Sequence, residues 1–172
     1  MASASHLTRR FVGSLRPGGP ARGEEEWATS HLLEAEQLLW RRMSGPDRRH
    51  AAAVARRVER ALGHEATRPV IAAALLHDVG KVESGLGTYG RVVATLSAKV
   101  AGPDMASRWR RQRGFVRRVG LYLQHDRLGH DLLALAGSDP LTVAWAREHH
   151  LASADWTLPA HLATALKDAD DD

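Results

Sequence analysis

Histidine and aspartate stand side by side at His77-Asp78, directly after an apolar segment that ends in Leu75-Leu76. If that segment is a buried helix, the carboxylate enters a partly dry environment, where an uncompensated charge is costly. A divalent cation is a suitable partner, because an imidazole and a carboxylate are both ligands of borderline-hard metals. The alternative is a helix end at which the dipole favours the histidine and Asp78 turns to solvent. The pair alone leaves both interpretations open.

Two other segments offer ligands of the same chemical type. His50 lies one turn before Val54, in a segment whose apolar residues recur at helical spacing. Near the C-terminus, an amphipathic segment contains the carboxylates of Asp168 and Asp170, which point to different faces of a helix. The chain therefore has an early histidine, a central histidine-aspartate pair and a late aspartate.

This order of residues resembles the HD superfamily of metal-dependent phosphohydrolases, over roughly residues 47–170. The likeness extends to Gly80 and Lys81, because the family often has Ile or Val and then Gly-Lys after the His-Asp pair. It implies an all-α, single-domain helical bundle of the HD type. It also implies a metal ion whose ligands are His50, His77, Asp78 and Asp170. Asp170 is preferred because the family's last aspartate follows an alanine, and Asp168 is the alternative.

A second set of histidines resembles the extra ligands of binuclear HD proteins, including the HD-GYP phosphodiesterases. The likeness implies that His125 and either His149 or His150 bind a second ion. The other interpretation is that these are surface histidines at helix ends. The Gly-Tyr-Pro signature is absent, since residues 151–159 read differently. A cyclic dinucleotide substrate is therefore not implied.

The resemblance also suggests roles for three residues in catalysis. Asp78 would bridge two metal ions, and metal-activated water would attack a phosphate ester. Lys81 would neutralise charge on the phosphoryl oxygens, unless it is a solvated lysine at a helix C-terminus. His125 is a candidate proton donor to the leaving group if it is not a ligand.

The expected function is therefore a phosphatase or phosphodiesterase acting on a small phosphorylated substrate, with a nucleotide as one candidate. Three alternatives stay open. An HD-fold di-iron oxygenase would use nearly the same ligands, a non-catalytic module would bind metal or nucleotide for signalling or be only structural, and a plain helical bundle with scattered histidines would bind no metal. The cofactor is one or two divalent ions. The sequence has no cysteine, so thiolate sites are excluded and Mn, Fe, Co, Ni, Mg or Zn are the candidates. The oligomeric state is unknown.

Composition limits the class of protein further. The net charge of +4 permits anionic ligands. No apolar run approaches the roughly 18 residues that a membrane span needs. The segment Thr8-Arg9-Arg10 faintly resembles a twin-arginine export signal, but no apolar stretch follows it. We therefore expect a cytoplasmic protein that does not bind membranes.

One basic segment has a density of arginine found nowhere else in the chain. It contains six arginines, with Trp109 and Phe115 between them: Arg108, Arg110, Arg111, Arg113, Arg117 and Arg118. A nucleic-acid interface is one interpretation. The simpler interpretation is a solvated helix face whose aromatic residues pack inward. We therefore expect nucleic acid not to be a partner, although contact with the phosphates of a nucleotide remains an alternative.

The elements that must position these residues are all predicted to be helices. Residues 1–23 are polar and rich in Gly and Pro, which predicts a loosely ordered arm before a single domain over residues 24–172. Asp47 is predicted to cap the second helix and Gly80 to end the third. The predicted helices span residues 24–43, 48–62, 69–79, 91–99, 105–124, 128–136, 140–150 and 160–169.

Overall fold

The protein was analysed as a computed structural model, which describes residues 18–87, 90–91, 93–95 and 104–171. The described part of the chain is all-helical and has no strand, as predicted. The α-helices that lie wholly within the described residues are α1 (Arg22–Ser30), α2 (Glu34–Arg42), α3 (Gly45–Leu62), α4 (Arg68–Leu76), α5 (Asp104–Arg110), α6 (Gly114–Tyr122), α7 (His125–Leu135), α8 (Pro140–Glu148) and α9 (Ala160–Asp171). Residues 90–91 and 93–95 are also helical, and residues 96–99 of the helix predicted over 91–99 lie outside the described residues. Short 3-10 turns lie at Gly63–Glu65, Val79–Glu83 and Ser153–Asp155.

Helix α4 is the centre of the bundle. All seven residues from Val70 to Leu76 are buried, as the apolar sequence of this segment predicts. It packs against α3 on one side and α8 on another, while α9 packs against α3 and α7 against α8. The core also buries the aromatic rings of Trp40 and Trp145. The chain at the end of α4 is therefore enclosed by α3, α7, α8 and α9.

The predicted helix over residues 24–43 is wrong as a single element, because the structure divides it into α1 and α2. The first helix ends at Ser30, and the carboxylate of Glu36 accepts a hydrogen bond from the amide of Leu33 at 2.8 Å. That bond satisfies a free amide at the start of a helix and so favours a new start there. Helix α1 also begins at Arg22, inside the segment predicted as an arm. Residues 1–17 of that arm lie outside the described residues.

The cap of α3 also differs from the prediction. Ser44 is the N-cap residue, and its hydroxyl accepts a hydrogen bond from the amide of Asp47 at 3.3 Å. Asp47 accepts a hydrogen bond from that hydroxyl in return, at 2.7 Å. Pro46 fits the first turn of the helix, where an N–H would have no intrahelical acceptor. The helix therefore starts earlier than its apolar pattern indicated.

The basic segment forms two helices, α5 and α6, rather than one over residues 105–124. Gly114 adopts a φ of 60° between them, a conformation that residues with a side chain rarely take. Gly120 lies against the backbone of Trp109 and Arg110, so the two helices are in close contact. Trp109 packs against a small cluster around Val119, as expected, but Phe115 is exposed. The prediction that both aromatic residues face inward is therefore wrong for Phe115.

No helix among the described residues is long and apolar enough to cross a membrane.

Candidate metal centre

The His77-Asp78 pair lies immediately beyond the end of α4, in the interior of the bundle. The side chains of His77 and Asp78 are 2% and 6% exposed. Helix α4 ends at Leu76, and a 3-10 turn over Val79–Glu83 follows the pair. Asp78 therefore does not turn to solvent, and its charge needs a partner within the protein or a bound cation.

Gly80 does not have its predicted role of ending the helix before it. It does not end α4 and has no positive φ. A Cβ atom at Gly80 would lie 1.9 Å from the carbonyl oxygen of His125 and 2.6 Å from the amide nitrogen of Gly129. The absence of a side chain lets the 3-10 turn contact the start of α7 directly. This close packing brings His125 to the His77-Asp78 pair.

A first group of possible ligands consists of His50, His77 and Asp170. The Nε2 atom of His50 lies 2.9 Å from Oδ1 of Asp170, and the Nε2 atom of His77 lies 3.6 Å from the same oxygen. These residues come from α3, from the end of α4 and from α9. Asp170 is buried, whereas Asp168 is exposed. The structure thus places Asp170 at the site, and its role as a ligand stays a prediction.

A second group consists of Asp78, His125, His149 and His150. Oδ1 of Asp78 lies 3.3 Å from Nε2 of His125 and 3.8 Å from Nε2 of His149. The Nε2 atoms of His150 and His125 are 3.2 Å apart. Both His149 and His150 therefore reach the site, although the sequence left the choice between them open. Within each group, one possible ligand atom per residue lies within 4.8 Å of the others.

Asp78 lies between the two groups. Its Oδ1 atom faces His125 and His149, while its Oδ2 atom lies 3.4 Å from Nε2 of His77. Lys81 also donates a hydrogen bond to Oδ2 from its ammonium group. A carboxylate with one oxygen toward each group has the geometry of a bridging ligand.

Backbone carbonyls orient three of the histidine rings. In each ring Nδ1 contacts the carbonyl oxygen three residues earlier, at the end of a helix or just beyond it. The contacts are His77 to Ala74 at 2.9 Å, His125 to Tyr122 at 2.8 Å and His149 to Ala146 at 3.0 Å. Helix ends leave such carbonyls without an intrahelical donor. A proton on Nδ1 satisfies them and leaves the Nε2 lone pair of a neutral ring directed into the site.

The surroundings of two of these Nε2 atoms indicate that the site suits a metal ion. Nε2 of His77 and Nε2 of His149 are buried and have no hydrogen-bond partner. The carboxylate oxygens near them, at 3.4 to 3.8 Å, are too distant for good hydrogen bonds. Unpartnered polar atoms are rare in protein interiors and call for an explanation. A divalent cation bound by both lone pairs is an explanation that also balances the buried carboxylates.

The charges of Asp78 and Lys81 stabilise each other. Burial alone would raise the pKa of Asp78, but Lys81 and His77 hold that pKa well below its usual range. Burial would likewise lower the pKa of Lys81, yet the carboxylate of Asp78 keeps it raised. Asp78 is therefore ionised, as a metal ligand must be.

The histidines fall into two electrostatic classes. Although burial opposes protonation of His77, the carboxylates of Asp78 and Asp170 raise its pKa to about 9. Burial lowers the pKa of His149, and burial together with His149 and His125 lowers the pKa of His150 to about 3. His149 and His150 therefore stay neutral near pH 7, which leaves their lone pairs available to a cation.

No family model, curated protein or solved structure matches the chain. Any conclusion about function therefore rests on the arrangement of residues in the site itself.

Several residues near the site had no signal in the sequence. Arg91 binds both carboxylate oxygens of Asp47, at 2.6 and 2.8 Å. Its guanidinium carbon lies 6.0 Å from the ring centre of Tyr122, and that ring stacks on His125 with centres 5.7 Å apart. These contacts join segments far apart in the chain, so no local pattern indicated them.

The remaining described histidines lie apart from both groups. Among the described residues these are His31, His64, His130 and His161. His130 contacts Asp131, and His161 contacts Glu65. His6 lies outside the described residues.

Proposed function

We propose that this protein is a metal-dependent phosphohydrolase that cleaves a phosphate ester, with a site for two divalent ions. The observation that carries the proposal is the buried carboxylate of Asp78. Its Oδ1 atom faces the second group, and its Oδ2 atom lies 3.4 Å from Nε2 of His77 in the first group and contacts Lys81. Two ions bridged by a carboxylate are a common arrangement in enzymes that hydrolyse phosphate esters. The order of the ligands along the chain and the helical fold both agree with the HD family.

Residues His50, His77 and Asp170 would hold one ion, and His125, His149 and His150 the other, with Asp78 between them. Divalent ions in such a site lower the pKa of water and polarise a phosphoryl oxygen. The donors are nitrogen and oxygen atoms, and the described residues include no sulfur ligand. This donor set suits Mn, Fe, Co, Ni or Zn, and Mg less well because of its preference for oxygen.

Lys81 favours an anionic substrate over a neutral one. Its ammonium group is largely buried beside Asp78, and the pKa of that group is raised, so it is charged at neutral pH. A fixed positive charge next to the metal ligands stabilises negative charge on phosphoryl oxygens. If His125 does not bind metal, its Nε2 atom is in a position to hold a proton for the leaving group.

The proposal is tested by metal content and turnover together. Purified protein would be stripped with a chelator, and Mn, Fe, Co, Ni, Zn or Mg would then be added back separately. Bound metal would be measured by elemental analysis, and hydrolysis with 4-nitrophenyl phosphate and bis(4-nitrophenyl) phosphate. We expect about two ions per chain with the preferred metal, and turnover that the chelator abolishes.

Asp78→Asn is the most informative variant, because it removes the shared charge while keeping the size of the side chain. We expect this variant to bind neither ion, and its activity to fall by about a thousandfold or more. Asp126→Asn, at a half-buried position near His125, is a matched control that should behave as the unmodified protein. Metal-independent turnover, or full activity in Asp78→Asn, would contradict the proposal. Oxygen consumption by an iron-loaded protein without phosphate release would favour the oxygenase instead.

A further inference from the structure

The second chemically distinctive region of the molecule is the exposed part of α5 and α6. From Met105 to Gln124 the chain has six arginines and no aspartate, glutamate or lysine. Every residue from 110 to 118 is exposed. An uninterrupted positive surface of this kind attracts polyanions and repels other cations.

The six arginines divide into two sets with different surroundings. Arg110 donates to the side chain of Gln124 at 3.2 Å, and Arg118 donates to the backbone carbonyls of Ser84 and Gly85. These two residues fasten the helices to the rest of the bundle. The other four form what we call the arginine surface: Arg108, Arg111, Arg113 and Arg117.

The guanidinium groups of the arginine surface are not used within the described part of the protein. Among the described residues, none of the four makes an ion pair or a side-chain hydrogen bond. Arg108 lies in α5 and Arg111 directly follows that helix, while Arg113 directly precedes α6 and Arg117 lies in it. These four like charges are close together in the chain, and like charges repel one another. An external anion would reduce that repulsion.

Two apolar side chains are exposed among these arginines. Phe115 is 49% exposed and Val116 is 43% exposed, and both lie between Arg113 and Arg117. A solvated basic helix does not require an exposed aromatic ring. An aromatic ring flanked by guanidinium groups is a usual arrangement for binding unpaired bases, which stack on the ring while the phosphates contact the arginines.

We propose that the arginine surface and Phe115 form a binding site for single-stranded nucleic acid. Unpaired bases are favoured over a duplex because a single exposed ring can stack only on a base whose face is free. A lipid surface is less favoured, because two exposed apolar residues are a small area for insertion into a membrane. The inference goes beyond the proposed hydrolysis and does not rest on it, since binding needs no metal.

The test measures binding of the full chain to a fluorescein-labelled oligodeoxythymidine of about 15 nucleotides, a length suited to such sites. Fluorescence anisotropy would be recorded with a chelator present, over a series of salt concentrations. The triple variant Arg111→Gln, Arg113→Gln, Arg117→Gln is compared with Arg41→Gln, Arg60→Gln, Arg147→Gln. Both variants remove the same charge at exposed positions, so total charge alone cannot distinguish them.

We expect the first triple variant to bind roughly tenfold or more weakly, with a salt dependence reduced by about two units of slope, and the second to bind nearly as the unmodified protein does. Phe115→Ala should weaken oligonucleotide binding about fivefold or more without weakening the binding of inorganic polyphosphate. Leu135→Ala, at another exposed apolar residue, is its control. Circular dichroism would show that all variants keep their helix content.

Three results would overturn the inference. Equal losses in both triple variants would mean that binding depends on total charge alone. Binding to vesicles containing phosphatidylserine, with none to the oligonucleotide, would assign the surface to a lipid. Equal weakening of oligonucleotide and polyphosphate by Phe115→Ala would exclude base stacking.

Discussion

The two groups of ligands on either side of Asp78 are built in different ways. In the first group, His50 contacts Asp170 directly at 2.9 Å, and these residues are 120 positions apart in the chain. The first group therefore forms only when α3 and α9 pack together. In the second group, the rings of His125 and His149 are oriented by carbonyls three residues earlier in the chain, those of Tyr122 at the end of α6 and Ala146 in α8. The contact between His50 and Asp170 therefore depends on the packing of distant helices, whereas the orientation of these two rings depends on neighbouring residues in the chain.

This difference suggests that the groups can be separated by mutation. Removal of a ligand from the second group should leave the α3–α9 contact intact. A change in the first group should affect both metal binding and the attachment of the C-terminal helix, because Arg57 of α3 also donates to the carbonyl of Ala169 at 3.0 Å. The predictions below test this separation.

Among changes confined to one group, the largest effect is expected in the first group, at Asp170. Asp170→Asn removes the carboxylate that contacts His50 and faces His77. We expect activity to fall about a hundredfold or more, with loss of at least one metal ion. Asp168→Asn, the same chemical change at an exposed position of the same helix, should have little effect. The reverse ranking, from turnover and elemental analysis, would show that Asp168 is the ligand.

A change in the second group should remove one ion while the first remains. His149→Gln replaces a buried ring whose Nε2 atom has no hydrogen-bond partner. We expect the metal content to fall from about two ions to about one, and activity to fall about tenfold or more. His130→Gln is the control, because His130 is on α7 and contacts Asp131 rather than the site. Loss of both ions in His149→Gln would show that the groups do not bind independently.

Gly80→Ala should affect the second group without changing any ligand. A Cβ atom there overlaps the backbone of α7 and must move His125 away from Asp78. We expect the free energy of unfolding to fall by about 2 kcal/mol or more, a usual result of overpacking against backbone. Weaker binding of the second ion should accompany it. Gly87→Ala, which has open space around the new methyl group, is the control. Urea denaturation and metal titration measure both effects, and equal stability of the two variants would contradict the prediction.

The smallest effect is expected at the Asp47–Arg91 ion pair, which joins the start of α3 to the chain before α5. Asp47 and Arg91 side chains are 13% and 20% exposed. We expect Arg91→Met to lower the free energy of unfolding by about 2 kcal/mol, because a partly buried charged hydrogen bond is lost. Arg42→Met breaks a more exposed pair with Glu83 and should cost at most about 1 kcal/mol.

The contribution of this pair should depend on pH. Burial alone would raise the pKa of Asp47, but its bonds to Arg91 lower the pKa below its usual value. A depressed pKa in the folded state stabilises the protein above the unfolded value of about 3.9, and this contribution is lost as the pH falls through the folded value. The difference between Arg91→Met and the unmodified protein should therefore be constant near pH 7 and shrink below about pH 4. A difference that grows on acidification would contradict this assignment.

Much of the fold could be predicted from local patterns. The spacing of apolar residues gave the helical class and most helices, and the fully apolar segment before His77 indicated burial of the pair. The breaks between α1 and α2 and between α5 and α6 were missed. The first depends on a hydrogen bond between Glu36 and the amide of Leu33, and the second on the backbone conformation of Gly114. Neither feature alters the spacing of apolar residues from which the helices were predicted.

The candidate site shows the same division between local pattern and packing. Residue type and order along the chain identified these histidines and aspartates as candidate metal ligands, because few side chains can bind a divalent cation. The resemblance favoured Asp170 over Asp168 and left the choice between His149 and His150 open. In the structure, Asp170 is buried near His50 whereas Asp168 is exposed, and both His149 and His150 belong to the second group.

The sequence by itself determined that this chain forms helices, that an adjacent histidine and aspartate follow an apolar helix and that no thiolate can bind metal. The tertiary structure alone decided which carboxylate reaches His50, that Gly80 permits the approach of α7, and that Phe115 faces outward among the arginines. The physical reason is the separation along the chain of the residues that interact. Helix formation and burial depend on residues within a few turns of one another, whereas these three features depend on how separate segments pack together.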